Sequence, residues 1–367
     1  MKTEEFKNPG KEYRPSPFWS WNDALDPEEL RWQVRQMAEQ GFGGYFMHSR
    51  VGLATPYLSK EWMECIRACL EEGRQVDTES WLYDEDKWPS GFAGGIVPAK
   101  GDEYKARALI AEKVESPDET ALRCFALKMS ESGTLLSFRR VDASSKIAEG
   151  ESEDWFSVNH VYAFRVRIQP PSNWFNGESY TDLLNPMVTE EFLKVTHDAY
   201  AEEFFIDFGE FMPGVFTDEP QYYLGGQVPW TDAMPEYFKR LNGYDLLENL
   251  PLVYFEGKGS KKVRYDFWRT VTQRFVEAFS KPFGERCEKL NLMMTGHYMA
   301  EDSLVYQIHF IGAAMPHYEF MQCPGIDHLG RNIDNPLTLK QCSSVAHQFG
   351  RPRILCEIFG VSGHSMT

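Results

Sequence analysis

The sequence predicts an α/β fold, a (β/α)8 barrel of the TIM type that lacks its last βα unit and carries a small antiparallel insertion after its third strand. The main observation is that short apolar runs alternate with amphipathic segments of helical period along most of its 367 residues. This alternation stops between residues 103 and 175, where β-rich segments follow one another. We therefore expect residues 1–102 and 176–367 to form the barrel and residues 103–175 the insertion, with an elaborated barrel loop as the alternative.

Three predicted strands and two predicted helices precede the insertion. Asp26 and Pro27 mark the beginning of the first helix, and Ser59 marks that of the second, because these residues suit the free N–H groups at a helix end. The predicted strands are 15–22, 43–49 and 77–86, and the predicted helices are 26–41 and 59–73.

The alternation resumes after the insertion and completes a set of seven predicted strands. The later strands are 214–219, 290–298, 317–324 and 351–360, and the later helices are 185–205, 235–247, 263–289 and 338–350. The sequence ends in SGHSMT, inside the loop that would follow the seventh strand. We therefore expect either a fragment of a longer chain or a miscounted strand.

The composition argues against several kinds of partner. A net charge of −17 disfavours binding to nucleic acids or anionic membranes, which requires a basic surface. No apolar run approaches the ~20 residues of a transmembrane helix, and the first residues lack the apolar core of a signal peptide. The seven cysteines include no Cys-x-x-Cys motif, which favours free thiols in a reducing compartment. We therefore expect a cytoplasmic protein.

Acidic, histidine and aromatic residues follow the predicted strands at their carboxyl ends, where barrels of this type place their active sites. In strand order they are Trp21, His48, Asp84 and Trp88, Asp218 and Glu219, His297, Tyr298 and Glu301, Asp327 and His328, and Glu357. A single acid at a strand end is more often structural than catalytic. A set of this composition at successive strand ends favours a binding or catalytic site.

Two carboxylates on opposite walls of a barrel can hydrolyse a glycoside. One donates a proton to the leaving oxygen, and the other activates water or attacks the sugar. Glu219 and Glu357 suit these roles, since each closes an apolar run and their strands are three apart. Structural alternatives stay open: Glu219 could stabilise a turn, and Glu357 could pair with Arg351 or Arg353. Asp218 could replace Glu219 as the acid, although side chains alternate along a strand.

Other motifs give weaker signals. The sequence contains no phosphate-binding loop, dinucleotide-binding glycine motif or His-Glu-x-x-His zinc motif. His48, His297 and His328 could together bind a metal ion, although each separately is more often a packed or hydrogen-bonded residue.

Seven stretches together resemble the catalytic barrel of glycoside hydrolase family 106, the α-L-rhamnosidases, and its less characterised relatives. They are SPFWSWNDALDPEEL, GGYFMHSRVGL, WLYDEDKWPSGFAGG, DLLNP, VFTDEPQ, CPGIDHLGR and CEIFGVSGHSMT. The resemblance extends from about residue 13 to the end of the sequence, apart from the insertion. The motifs are long and ordered, although members of such a family need not share one substrate.

The resemblance implies an inverting hydrolase of a carbohydrate such as an α-L-rhamnoside, with Glu219 as the general acid and Glu357 as the base. It also implies a calcium ion in the sugar site, whose ligands are not placed on this sequence. The residues that would line the sugar subsite are Asp84, Trp88, His297, Tyr298, Asp327 and His328. Family members usually continue with an eighth strand and β-sandwich domains. A non-catalytic or truncated sugar-binding relative and a retaining barrel glycosidase are the alternatives.

The distance between the two carboxyl groups distinguishes the inverting from the retaining mechanism. An inverting enzyme separates them by about 6.5–9.5 Å to leave room for a water molecule, whereas a retaining enzyme separates them by about 5–5.5 Å. We expect the wider spacing, and we expect Glu219 to have the higher pKa because a general acid must hold its proton near neutral pH.

Overall fold

The computed structural model describes residues 3–142, 160–223, 225–330 and 335–363. Its strands form two parallel sheets and one antiparallel sheet, so the predicted α/β class is confirmed.

The parallel sheets contain the strands that alternate with helices. One has the order β1, β2, β3, β8 and β10, and the other pairs β11 with β12. Their bounds are β1 Phe18–Trp21, β2 Gly44–Ser49, β3 Glu79–Tyr83, β8 Gly214–Asp218, β10 Met293–His297, β11 Gly325–His328 and β12 Leu355–Ile358. The two sheets adjoin, because the N–H of Cys323 donates to the carbonyl oxygen of Met294 at 3.1 Å.

Side chains from both parallel sheets meet in one apolar cluster. They are Phe18, Phe46, Trp81, Tyr83, Phe216, Met293 and Leu355. Both sheets therefore curve around a common interior, as the strands of a barrel do. The described strands do not form a closed, hydrogen-bonded barrel, since among them β12 pairs with β11 alone and β1 with β2 alone.

The first two predicted helices begin where the sequence predicts. The Asp26 carboxylate accepts hydrogen bonds from the N–H groups of Glu28 and Glu29. The Ser59 hydroxyl accepts one from the N–H of Trp62. The described α-helices are α1 Thr3–Lys7, α2 Pro27–Glu39, α3 Lys60–Val76, α4 Pro186–Leu193, α5 Ala199–Phe204, α6 Met234–Asn242, α7 Leu250–Tyr254, α8 Ser260–Phe275, α9 Lys281–Lys289, α10 Leu304–Phe310, α11 Met315–Tyr318 and α12 Leu337–Gln348, with π-helical segments Lys194–Asp198 and Val276–Ser280 after α4 and α8.

The antiparallel sheet occupies much of the predicted insertion, in the order β6, β5, β7, β4 and β9. Its strands are β4 Arg107–Val114, β5 Arg123–Met129, β6 Leu135–Val141, β7 His160–Ile168 and β9 Val228–Trp230. Because β9 follows β8 in sequence, the sheet extends beyond the predicted insertion. Leu109, Phe125 and Phe164 of this sheet belong to the same buried core as the helices around the parallel strands. The division into domains stays a prediction, and residues 143–159 lie outside the described residues.

The sixth predicted strand, 317–324, is wrong in its placement. The chain instead forms α11 at its start, and the strand follows at β11. His317 and Tyr318 are fully buried in α11. A short apolar run can be a buried helix turn or a buried strand, and its sequence period does not separate the two.

Two observations bear on the environment of the chain. None of the described helices is long and apolar enough to cross a membrane. The seven cysteines are free thiols, and all except Cys356 are buried. The compartment stays a prediction from the sequence.

Candidate active site

The two adjacent acids at the end of β8 approach the same histidine. Asp218 is the last residue of β8, and Glu219 leaves the strand with a left-handed backbone, at φ 49°. Consecutive side chains of a regular strand point to opposite faces, so the left-handed residue is what breaks the alternation here. The N–H of Glu219 donates to the carbonyl oxygen of His297 at 3.1 Å. Both acids thereby lie beside the end of β10.

His297 lies between acids from two other strands. Its Nε2 is 2.9 Å from Glu357 Oε2 and 3.4 Å from Asp218 Oδ1. Burial lowers the pKa of His297, but the hydrogen bond to Glu357 and the charges of Asp218 and Glu357 outweigh burial and raise it well above its usual range. A cationic imidazole therefore joins the ends of β8, β10 and β12.

Glu219 holds its proton more tightly than an ordinary glutamate. Burial raises its pKa to about 7, against the opposing charge of His297 and with the support of Asp218 and Asp327. Burial also raises the pKa of Asp218, to about 6. Near neutral pH, Glu219 can therefore donate a proton, as a general acid must.

Glu219 lies at the junction of two cavities, each of about 300 Å³. The first is largely acidic and polar, lined by Glu219, Tyr298, Ala300, Glu301, Asp302, Asp327, His328, Leu329 and Asn335. The second is largely aromatic, lined by Trp88, Pro89, Gln169, Trp174, Phe175, Tyr180, Glu219, Gln221, Tyr223, Gly225 and Met299. The predicted sugar-subsite residues are thus divided, with Tyr298, Asp327 and His328 in the first cavity and Trp88 in the second.

The fold is similar to that of a solved rhamnosidase. The structure of rhamnosidase from Novosphingobium sp. PP1Y matches 96% of this chain with a TM-score of 0.65 and 14% sequence identity. The match covers 52% of that protein, so this chain spans about half its length. No protein-family model and no curated protein matches the sequence. At this identity the comparison shows a shared, rhamnosidase-like fold.

Asp84 supports the site through a hydrogen bond to Ser90. It is fully buried, and its Oδ1 accepts a hydrogen bond from the Ser90 hydroxyl at 2.6 Å. The Ser90 oxygen in turn accepts from the N–H of Asp218 at 2.7 Å. Through Ser90, Asp84 therefore positions the backbone of Asp218, and its side chain has no exposed surface in this structure. The role of Asp84 in a sugar subsite stays a prediction.

His48 also lies behind the acids. Its ring packs 4.0 Å from that of Tyr83, whose hydroxyl donates to Asp218 Oδ2 at 2.8 Å. Burial and the nearby Arg50 lower the pKa of His48 well below its usual range, so the imidazole is neutral. His48 is 2% exposed and therefore packs against a residue that holds Asp218.

Trp21 does not belong to the site. Trp21 is 2% exposed. Its ring centre lies 5.0 Å from that of Trp62 on α3 and 5.4 Å from that of Trp19. It therefore joins β1 to the helical layer outside the sheet. The sequence placed Trp21 among the strand-end residues of a binding or catalytic site, whereas its observed contacts are packing contacts. The sequence does not show to which side of the sheet an aromatic ring at a strand end points.

Trp174 and Tyr223 of the second cavity escaped the sequence predictions, whereas Glu301 of the first was among the strand-end residues. Glu301 follows β10 and accepts hydrogen bonds from the N–H of Asp327 and the hydroxyl of Tyr318, and burial raises its pKa to about 7. Trp174 follows β7, and Tyr223 lies in the loop after β8. The strand-end position of Glu301 was the signal for it, whereas nothing in the sequence connects Trp174 with Glu219.

Two sets of side chains could hold a metal ion among the described residues. One ligand atom from each of Asp218, His297 and Glu357 lies within 4.8 Å of the others, and Glu219, His297 and Asp327 form an equivalent set. Both sets include the His297 imidazole, whereas Ca²⁺ prefers about six to eight oxygen ligands. These donors do not fit the calcium ion that the resemblance implies, so calcium is assigned no role in the chemistry of the site.

The buried acids make stability depend on pH. Burial raises the pKa of Asp84 from 3.8 to about 8. Between these values the folded chain keeps a proton that the unfolded chain has lost, so the free energy of unfolding falls as pH rises through this window.

Replacing Asp84 by Asn should reduce this dependence, because the amide keeps an oxygen for Ser90 and carries no charge. The free energy of unfolding should fall less steeply than in the wild type, by up to about 1.4 kcal/mol per pH unit. Urea unfolding at several pH values between about 4 and 8 measures both slopes. The exposed Asp23→Asn is the matched control and should leave the slope unchanged. Equal slopes for the wild type and Asp84→Asn would show that Asp84 does not retain its proton.

Proposed function

We propose that this chain is a glycoside hydrolase that cleaves a terminal glycosidic bond, that of an α-L-rhamnoside or a similar sugar. The observation that carries the proposal is the position of Glu219, whose carboxyl group borders both cavities and has a pKa of about 7. The hydrogen-bonded pair of His297 and Glu357 lies beside it. The rhamnosidase-like fold supports it, as do the seven sequence motifs that resemble glycoside hydrolase family 106. Membership of that family is part of the proposal.

In the proposed reaction Glu219 gives its proton to the glycosidic oxygen as the bond from this oxygen to the anomeric carbon breaks. Glu357 takes a proton from a water molecule, whose oxygen forms the new bond to the anomeric carbon from the opposite face. The reaction leaves Glu219 ionised and Glu357 protonated, and exchange with solvent restores both.

His297 positions the base in this scheme. Its Nε2–H donates to Glu357 at 2.9 Å, which orients the carboxyl group. The general acid must keep its proton near neutral pH, and burial of Glu219 meets this requirement by raising its pKa to about 7.

We further propose that hydrolysis inverts the configuration at the anomeric carbon, and this part of the proposal rests on the family resemblance. It requires the wider separation between the Glu219 and Glu357 carboxyl groups, about 6.5–9.5 Å. The alternative, a retaining enzyme, would use Glu357 as the nucleophile at the shorter separation.

The test is hydrolysis of a panel of aryl glycosides by the 367-residue chain. We expect release of the aryl alcohol from the α-L-rhamnoside or from another single member of the panel. Saturable binding of a glycoside with no release from any member would instead favour a non-catalytic sugar-binding protein.

Calcium binding is a separate proposal, taken from the resemblance alone. If calcium binds, the melting temperature should rise on addition of CaCl₂ to chelator-treated protein and fall again with excess chelator. Because the two described donor sets do not suit calcium, such a rise would place the ion on a different set of oxygen ligands. An unchanged melting temperature would remove calcium from the account.

A further inference from the structure

The chemical contrast between the two cavities suggests that they bind different parts of one substrate. The first presents carboxyl groups and an amide, including Asp302, Asp327 and Asn335. The second presents the rings of Trp88, Trp174 and Tyr223. Carboxylates and amides suit the hydroxyl groups of a sugar, whereas aromatic rings suit flat apolar faces.

We propose that the second cavity is the leaving-group subsite and that it binds a group with a flat apolar face, an aryl ring or a second sugar ring. The proposal rests on the proposed function, because a general acid must contact the oxygen that joins the sugar to its leaving group. Glu219 borders both cavities, so a substrate whose bond oxygen contacts Glu219 places its sugar on one side and its leaving group on the other.

The Trp88 and Trp174 rings are held in place by contacts that leave one of them accessible. The Trp174 Nε1–H donates to the carbonyl oxygen of Trp88 at 2.9 Å, and the two rings meet edge to face at 4.8 Å. The Arg50 guanidinium lies 4.3 Å from the Trp88 ring centre. Trp174 is 38% exposed, so its ring is both positioned and available to a ligand.

Tyr223 adds a second positioned ring. It stacks on Phe310 with ring centres 4.2 Å apart and an angle of 20° between the planes. Tyr223 nevertheless stays 37% exposed. Side chains that are already ordered lose little conformational entropy when a ligand binds, which makes both rings efficient contacts.

The origin of Trp174 gives the antiparallel segment a functional role. Gln169 and Trp174 follow β7, directly after the last strand of that sheet within the predicted insertion, and both line the second cavity. Variation in this segment would therefore change which leaving group is accepted while the acid and base stay in place.

The decisive comparison is between substrates that differ only in their leaving group. Trp174→Ala should lower kcat/KM about tenfold for an aryl α-L-rhamnoside or a rhamnosyl disaccharide, chiefly through KM, the size expected for one lost stacking contact. It should leave kcat/KM for α-L-rhamnosyl fluoride unchanged, because a single fluorine atom cannot reach the rings. The larger loss, on the aryl substrate or on the disaccharide, identifies the preferred leaving group.

Trp32→Ala is the matched control, since Trp32 is 50% exposed on α2 and lines neither cavity. It should leave all three substrates unaffected. Equal losses on the fluoride and the aryl substrate in Trp174→Ala would overturn the inference, as would no loss on either large leaving group.

A binding experiment separates this inference from the proposed function. Saturation-transfer NMR with para-nitrophenol and with methyl β-D-glucoside should show binding of at least one to the wild type and to Trp32→Ala, lost in Trp174→Ala. Absence of both signals in the wild type would overturn the subsite. Binding that depends on Trp174, in a chain that hydrolyses no glycoside, would instead contradict the proposed function and leave a ring-binding cavity.

Discussion

Replacing Glu357 by Ala should lower kcat for an aryl α-L-rhamnoside by about 10²–10⁴-fold, the contribution typical of a general base. The loss is expected because the variant retains the protonated donor at Glu219 but has no group to take the proton from water. Measurement of kcat and KM on the aryl substrate should show the effect in kcat, with KM changed little.

The control for this experiment is Glu285→Ala, a glutamate on α9 whose side chain is 51% exposed. It should keep wild-type turnover. Glu357→Ala with turnover close to that of the control would show that Glu357 has a structural role, as the partner of His297, and is not the base.

Replacing Glu219 by Gln should have an effect that depends on the leaving group. For a disaccharide, whose leaving oxygen requires protonation, kcat should fall by about 10²–10⁴-fold. For an activated aryl glycoside, whose leaving group departs without a proton, the loss should be much smaller. Equal losses on the two substrates would contradict the role of Glu219 as a proton donor.

The pH dependence of activity tests the role of Glu219 as proton donor by a second measurement on the same variant. Because burial raises the pKa of Glu219 to about 7, wild-type activity on the disaccharide should fall as pH rises through that value, where the acid loses its proton. Glu219→Gln should lack this alkaline limb. A wild-type limb at a distinctly different pH would assign the loss to another group.

Local patterns in the sequence were enough to locate every parallel strand except the sixth, and the caps of the first two helices. These features depend on neighbouring residues alone: the spacing of apolar side chains, and the capping side chains of Asp26 and Ser59. The sixth strand was misplaced because the first residues of the run 317–324 fold as a buried helix turn, which so short a run does not distinguish from a strand.

The sequence located the acids of the candidate site, but it did not show which strand-end side chains enter a cavity and which pack behind it. The expected position of Glu219 and His297 at strand ends agrees with the structure, since carboxyl ends of parallel strands meet at one edge. Whether a side chain enters a cavity or the layer behind it depends on backbone details that the sequence does not display. Trp21 packs against α3, and the Asp84 carboxyl group accepts a hydrogen bond from Ser90.

The aromatic cavity shows why long-range contacts were missed. Trp174 reaches Trp88 from 86 positions away, and it comes from a segment that interrupts the βα alternation. A prediction built on the alternation had no means of placing such a segment beside Glu219. The sequence motifs in contrast indicated the first cavity, where Asp327 and His328 are the last residues of β11.

The central claim is that Glu219 and Glu357 hydrolyse a glycoside with a water molecule between base and sugar. Proton NMR of the 367-residue chain acting on an aryl α-L-rhamnoside, recorded from the first turnovers, tests it most directly by showing the anomer released. The account predicts that β-L-rhamnose is released first and converts to the equilibrium mixture afterwards, since inversion follows from direct attack by water. Initial release of the α anomer would contradict inversion and make Glu357 a nucleophile, and no release of rhamnose at all would contradict the proposed activity on this sugar.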